Sequence, residues 1–254
     1  MRTIIAVALV LAMVVPAGAT SYFAAPNGVD NGTCSQAQPC TARGAFMRCH
    51  LDSPSGDKCN IQLAPGDYYD PGINVFYYRL ASFSGDCANP SAVRLIGTIP
   101  GTALIWVQDH AIGIFGCMLL VAHVGGVTGI AGRQHVIIDY YNIMFANMSG
   151  GQHIALNEFS IASCVGPVTI NGNAIAHAGV VNLSKVNLSC PFTINGVFAI
   201  DYFISTSGWS IVDASQATFT GSFFVTGTQC TSFQAIVTRP LNGQPFPGTT
   251  RGNC

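Results

Sequence analysis

Few residues in this 254-residue chain can carry chemistry. It has ten aspartates and one glutamate, Glu158, against two lysines, Lys58 and Lys185. Glycoside hydrolysis needs two carboxylates about 5–10 Å apart, and Asp139 with Glu158 is one such pair if the fold joins them. Arg133 and His135 follow Gly132 and precede Asp139, which makes this the densest polar spot in the sequence. His110, His123, His135, His153 and His177 are scattered. Each reads more readily as a polar turn or a satisfied core residue than as a base or a metal ligand. Tyr68, Tyr69, Tyr77, Tyr78, Tyr140, Tyr141 and Tyr202 offer flat faces for sugar rings, with Asn and Gln nearby for hydroxyls. Strand alternation turns one of each adjacent pair inward. Asp139, Arg133, Tyr141 and Tyr202 are therefore the candidate binding residues.

Cysteine is the other chemical signal. There are ten: Cys34, Cys40, Cys49, Cys59, Cys87, Cys117, Cys164, Cys190, Cys230 and Cys254. No CxxC pair occurs and no histidine has zinc-finger spacing from two cysteines, so neither a metal nor another cofactor is called for. Disulfides in an oxidising compartment are the expectation. Sequence alone leaves connectivity open; simple chain order pairs 34–40, 49–59, 87–117, 164–190 and 230–254.

The compartment follows from the first residues. Arg2, an apolar run from Ile4 to Val15, Pro16 and the small residues Ala17-Gly18-Ala19 have the order of a secretory signal peptide. We read residues 1–19 as that signal and 20–254 as one domain, with 20–60 as its N-terminal cap region. The protein is expected outside the cytoplasm, extracellular or periplasmic. No later run is long and apolar enough for a transmembrane anchor. Without Arg2 the formal charge goes from −1 to −2. With no basic stripe, nucleic acid is an unfavoured partner. A weakly charged surface rich in Ser, Thr and Asn suits a neutral or weakly charged polysaccharide.

The elements that must position these residues are mostly strands. Thr41 can cap a helix over Ala42 to Leu51, with Ala42, Ala45, Phe46 and Cys49 on one face. Beyond it lie apolar, β-rich runs separated by Gly, Asn, Ser and Thr, a long one over Val136 to Phe145 and shorter ones such as Val197 to Ile204. One stretch repeats. Val168-Thr169-Ile170-Asn171-Gly172 recurs as Phe192-Thr193-Ile194-Asn195-Gly196 at an offset of 24. That period fits one coil of a parallel β-solenoid, whose rungs bury their apolar sides by stacking. The fold expected is all-β: a right-handed parallel β-helix with a short N-terminal capping helix.

Three segments carry a resemblance at this point. Ala24-Ala25-Pro26-Asn27-Gly28-Val29-Asp30-Asn31-Gly32-Thr33 with the helix after it, Asn60 to Tyr69, and Val93 to Thr98 are similar to the opening of pectin-lyase-like right-handed β-helix proteins. Within that group, Asn142 to Leu156 resembles the pectinesterase segment with an oxyanion-stabilising Gln, which maps to Gln152. Ile200-Asp201-Tyr202-Phe203-Ile204 resembles the segment with the nucleophilic Asp, which maps to Asp201. The resemblance implies ester hydrolysis through an acyl-enzyme, with a second Asp as acid and base and an Arg orienting the nucleophile. The sequence departs from that pattern. Gly166 to Lys185 contains no Asp, Gly208-Trp209 lacks the expected Arg, and the next Arg is Arg239. Two readings stay open. One is a non-catalytic extracellular protein, structural or polysaccharide-binding. The other is a carbohydrate-active enzyme of the pectinesterase or lyase type, favoured if Gln152, Asp201, Asp139 and Arg133 share a groove.

Overall fold

The computed structural model describes residues 21–53, 58–77, 79–221, 223–249 and 252–253. The signal peptide read at 1–19 lies outside them, as do Tyr78 and Cys254. The chain forms a parallel β-solenoid of about seven turns. Each turn contributes three short strands to three faces. A representative rung is Ile161–Cys164, Val168–Ile170 and Ala174–Val180; the next is Lys185–Asn187, Pro191–Ile194 and Gly196–Ser207. Among the described residues every strand pairing is parallel. The sequence repeat is realised as register, since Val168-Thr169-Ile170 pairs with Phe192-Thr193-Ile194 residue for residue.

We number the faces in chain order within a rung. Faces 1 and 2 merge into one sheet, because Ile112–Ala122 and Ile137–Ala146 run through the corner between them. Face 3 is a separate sheet of seven strands, from Ile73–Val75 to Phe223–Phe233. The run read as one strand over Val136 to Phe145 thus hides a corner. Asn142 sits there with φ 49° and Cys117 sits one rung before it with φ 62°. Neither is glycine. Cys117 is tied to Cys87, and the Asn142 side-chain amide donates to the Cys87 carbonyl at 3.1 Å. These contacts offset the unfavourable left-handed backbone.

Alternation sends every second residue inward, where rungs stack like on like. Phe83 lies on Phe115 with ring centroids 5.8 Å apart. Ile105, Ile130 and Ile154 form one fully buried row in register on face 3. Burying such side chains contributes roughly 1.5–3 kcal/mol each.

Both ends are closed. At the first, Ala42–Asp52 forms the helix, with Thr41 as N-cap accepting from the Gly44 amide at 2.9 Å. Its buried Phe46 faces the first rungs and Cys49 is bonded to Cys59. At the far end Phe246 covers Phe203 and Phe219. There the open strand edge meets side-chain amides instead of another strand. The Gln244 amide accepts from the Phe219 amide at 3.0 Å and donates to its carbonyl at 3.3 Å. Asn253 does the same for Ser232, at 2.7 and 3.0 Å.

Among the described residues, four disulfides join neighbours in chain order: Cys34–Cys40, Cys49–Cys59, Cys87–Cys117 and Cys164–Cys190. Cys230 is also disulfide-bonded.

Candidate functional site

The outer surface of face 3 is built from one register column. Trp106, Ala131, Ala155, Gly179 and Ser205 lie side by side on successive rungs. Four of the five are small, so they form a floor, and Trp106 stands above it at one end, 36% exposed. The cavity over this floor is about 300 Å³ and is also lined by Arg133, Gln152 and Asn157. Gly179 is there for a specific reason. A Cβ at that position would come within 2.2 Å of the Gln152 Oε1, so the glutamine amide lies flat on the floor only because Gly179 has no side chain.

The polar rim is tied down. Arg133 forms a two-pronged ion pair with Glu158, Nε to Oε2 at 3.1 Å and Nη2 to Oε1 at 3.2 Å. The Glu158 hydrogen bonds raise the Arg133 pKa further and keep it cationic. The Asn182 Nδ2 donates to the Asn157 Oδ1 at 2.6 Å. Arg and Asn are thus held at fixed positions beside an aromatic wall, an arrangement suited to hydroxyl-rich rings.

The cavity does not end at Trp106. A second one, of about 260 Å³, shares Trp106 and continues over Asp70, Gly72, Asn74 and Thr102. A third, of about 330 Å³, shares Gly72 and Asn74 and reaches Arg43, Met47 and Phe76 beside the capping helix. Together they make one cleft along face 3, parallel to the solenoid axis. From the strand Ile73–Val75 to Gly196–Ser207 it crosses five rung steps, about 24 Å.

The sequence-derived candidates fall in three places. Gln152 and Arg133 line the cleft. Tyr202 is on the outer side of the same sheet, in register with Ala176 and, through it, with Gln152. Asp201 is its exposed neighbour, at a bulge between Ala199 and Tyr202, and does not line the cavity. Asp139 and Tyr141 are elsewhere, on the outer side of face 1. Asp139 stands between Ile114 and Ser163 in register, and desolvation raises its carboxyl pKa. The Tyr141 ring covers Gly116, where a Cβ would approach its Cζ to 2.3 Å. Asp139 and Glu158 therefore do not face each other across one cleft. The four residues whose clustering would favour catalysis are divided between faces.

The tyrosine pairs split as alternation requires: Tyr68 and Tyr140 are buried, while Tyr69 is exposed and Tyr141 half-buried. Two of the histidines are core residues with an unusual relation. His153 and His177 are fully buried with Nδ1 atoms 3.1 Å apart. Burial drives both well below the ordinary histidine value, His177 to about 3, and their mutual charge repulsion lowers His153 further. Neither Nε2 finds a hydrogen-bond partner among the described residues.

Trp106 carries no chemical motif and escapes a reading by motif. The signal is the spacing of Trp106, Ala131, Ala155 and Gly179, which follows the repeat period and marks one outward column. Among the described residues, no group of three or more His, Cys, Asp or Glu could hold a metal ion, and no helix is long and apolar enough to cross a membrane. The chain matches no protein-family model, no curated protein and no solved structure.

Proposed function

We propose that this is a secreted, non-catalytic protein that holds an extended, neutral or weakly charged polysaccharide in the cleft along face 3. The observation that carries the reading is the cleft's composition. An aromatic wall, Trp106, and fixed polar groups, Gln152, Asn157 and Arg133, flank a flat floor of Ala and Gly. Its carboxylates are already engaged, Glu158 by Arg133 and Asp70 by the Thr98 amide and hydroxyl. Such a surface offers ring stacking and hydroxyl recognition over a length that suits a polymer. The four disulfides fit an oxidising compartment.

A second reading, a pectinesterase- or lyase-like enzyme of the pectin-lyase-like group, draws on one observation: the Gln152 amide lies in the cleft. It lacks a carboxylate beside that amide, because Asp139 is on face 1 and Asp201 is outside the cavity.

One experiment separates the two. The oxidised protein is incubated with plant and microbial polysaccharides, and both binding and release of methanol or unsaturated sugar are followed, with Gln152→Ala and Asp201→Ala in parallel. Saturable binding without turnover, weakened by Gln152→Ala and indifferent to Asp201→Ala, is the expected outcome. Turnover abolished by Asp201→Ala would replace this reading with the enzymatic one.

A further inference from the structure

We propose that the corner between face 3 and face 1 is a self-association surface through which two copies of this chain pair. The corner is a two-residue turn repeated on successive rungs. Its second residue is His110, His135, Phe159, Leu183 and Trp209 in turn, each with positive φ. Backbone bonds lock the turns to one another: the Phe159 amide donates to the Asn182 carbonyl at 3.0 Å and the Leu183 amide to the Gly208 carbonyl at 2.8 Å. This ladder holds side chains outward in a straight row. His110 and His135 stack at 4.9 Å and His135 and Phe159 at 5.0 Å, nearly parallel in both cases. Beyond them the row is apolar and open. Phe159 and Leu183 are each 51% exposed and Trp209 is 69% exposed.

A second row runs beside it on face 1. Ile137, Ile161, Lys185, Ile211 and Ile236 lie in register. All four isoleucines are exposed. Phe159 and Trp209 together leave on the order of 200–300 Å² of ring open. With the isoleucines and Leu183, the strip exceeds the few hundred Å² that a monomer usually leaves bare. It comes close to the ~800 Å² that one partner contributes to a standard interface.

The occupant follows from the area: the strip is about what one partner gives to a standard interface, and the same strip on a second copy offers an equal apolar area with the same ~4.8 Å repeat. Turned over by a two-fold axis perpendicular to the solenoid, the side chains of one strip enter the gaps of the other, an isologous contact. Lys185 interrupts the isoleucine row, and its long stem can lie along the strip with the ammonium in water. The cleft floor is on face 3, beyond the Arg133–Glu158 pair, so pairing leaves it open. This inference is independent of the polysaccharide reading.

Sedimentation of the oxidised, full-length protein over a concentration series tests it. The wild type is expected to reach the mass of two chains. Trp209→Glu and Ile236→Lys, at separate points of the strip, are each expected to weaken pairing at least tenfold, with a melting temperature equal to the wild type's at concentrations where both are monomeric. A wild type that stays monomeric at every concentration overturns the proposal, as does pairing that neither substitution weakens. A monomer that instead floats with phosphatidylcholine vesicles, and loses that with Trp209→Glu, assigns the strip to a lipid surface and also overturns it.

Discussion

His153 and His177 face each other inside the solenoid, Nδ1 to Nδ1 at 3.1 Å, with Phe145 stacked on the first ring and Phe203 on the second. Whichever Nδ1–H donates, the accepting ring must be neutral, and complete burial disfavours charge on either ring. In the unfolded chain both titrate near 6.5, whereas in the fold they resist protonation, His177 down to about 3. Between those values the unfolded chain binds more protons, so stability falls as pH drops from about 6.5 towards 3. Each histidine contributes a slope of up to ~1.4 kcal/mol per pH unit. Urea melts of the wild type and of His153→Phe/His177→Phe, at pH 7.5 and in steps below 6.5, read this directly. The double variant is expected to show a shallower acid slope. Parallel slopes would remove the pair from the account of acid sensitivity.

Gly179 makes a second test. In Gly179→Ala the new Cβ meets the end of the flexible Gln152 side chain, not backbone, so the fold should survive with a melting shift of a few degrees. The displaced amide should cost polysaccharide affinity about tenfold, a loss of roughly 1.4 kcal/mol, and Gln152→Ala should give a similar loss. Full affinity in Gly179→Ala would show that the position of the amide is irrelevant to binding.

The far edge of the solenoid supplies a third. Gln244→Leu leaves the Phe219 amide and carbonyl without the partners they now have. Unsatisfied backbone groups cost about 1–3 kcal/mol, and an unpaired edge invites strand addition. Faster hydrogen exchange at Phe219 and concentration-dependent aggregation are the expected readouts. Wild-type exchange and solubility would mean that the edge needs no amide cap.

Disulfide removal is the fourth. Cys164 and Cys190 join adjacent rungs with Cα atoms 5.8 Å apart and a sequence separation of 26. Replacing both with Ala should lower stability by ~3 kcal/mol, measured by denaturant unfolding. A loss well under ~1 kcal/mol would mean that rung stacking alone holds this segment.

How much of this was legible in the sequence depends on distance along the chain. The 24-residue repeat at Val168 and Phe192 became strand register because both copies have the same inward residues. The helix was readable because its determinants are local, and chain-order pairing of the cysteines coincides with the four disulfides because consecutive turns of a solenoid lie side by side. The corners were not. Residues such as Asn142, Glu158 and Phe159 take positive φ without being glycine, held there by side-chain and inter-rung hydrogen bonds that no local pattern reveals. That hidden geometry decides the site. Arg133 and Asp139 are close in sequence, yet the turn at Gln134-His135 sends them to different faces. Trp106 and Gln152 are distant in sequence, yet two rung steps bring them to one cleft.

The central claim, that a sugar polymer lies against Trp106, has a direct optical test. The chain has two tryptophans, Trp106 and Trp209, so in Trp209→Phe the remaining indole emission comes from the cleft. Titration with an oligosaccharide of the bound polymer should shift and saturate that emission with the same affinity that calorimetry gives. Calorimetric binding with no change in Trp106 emission would place the ligand elsewhere and contradict the account.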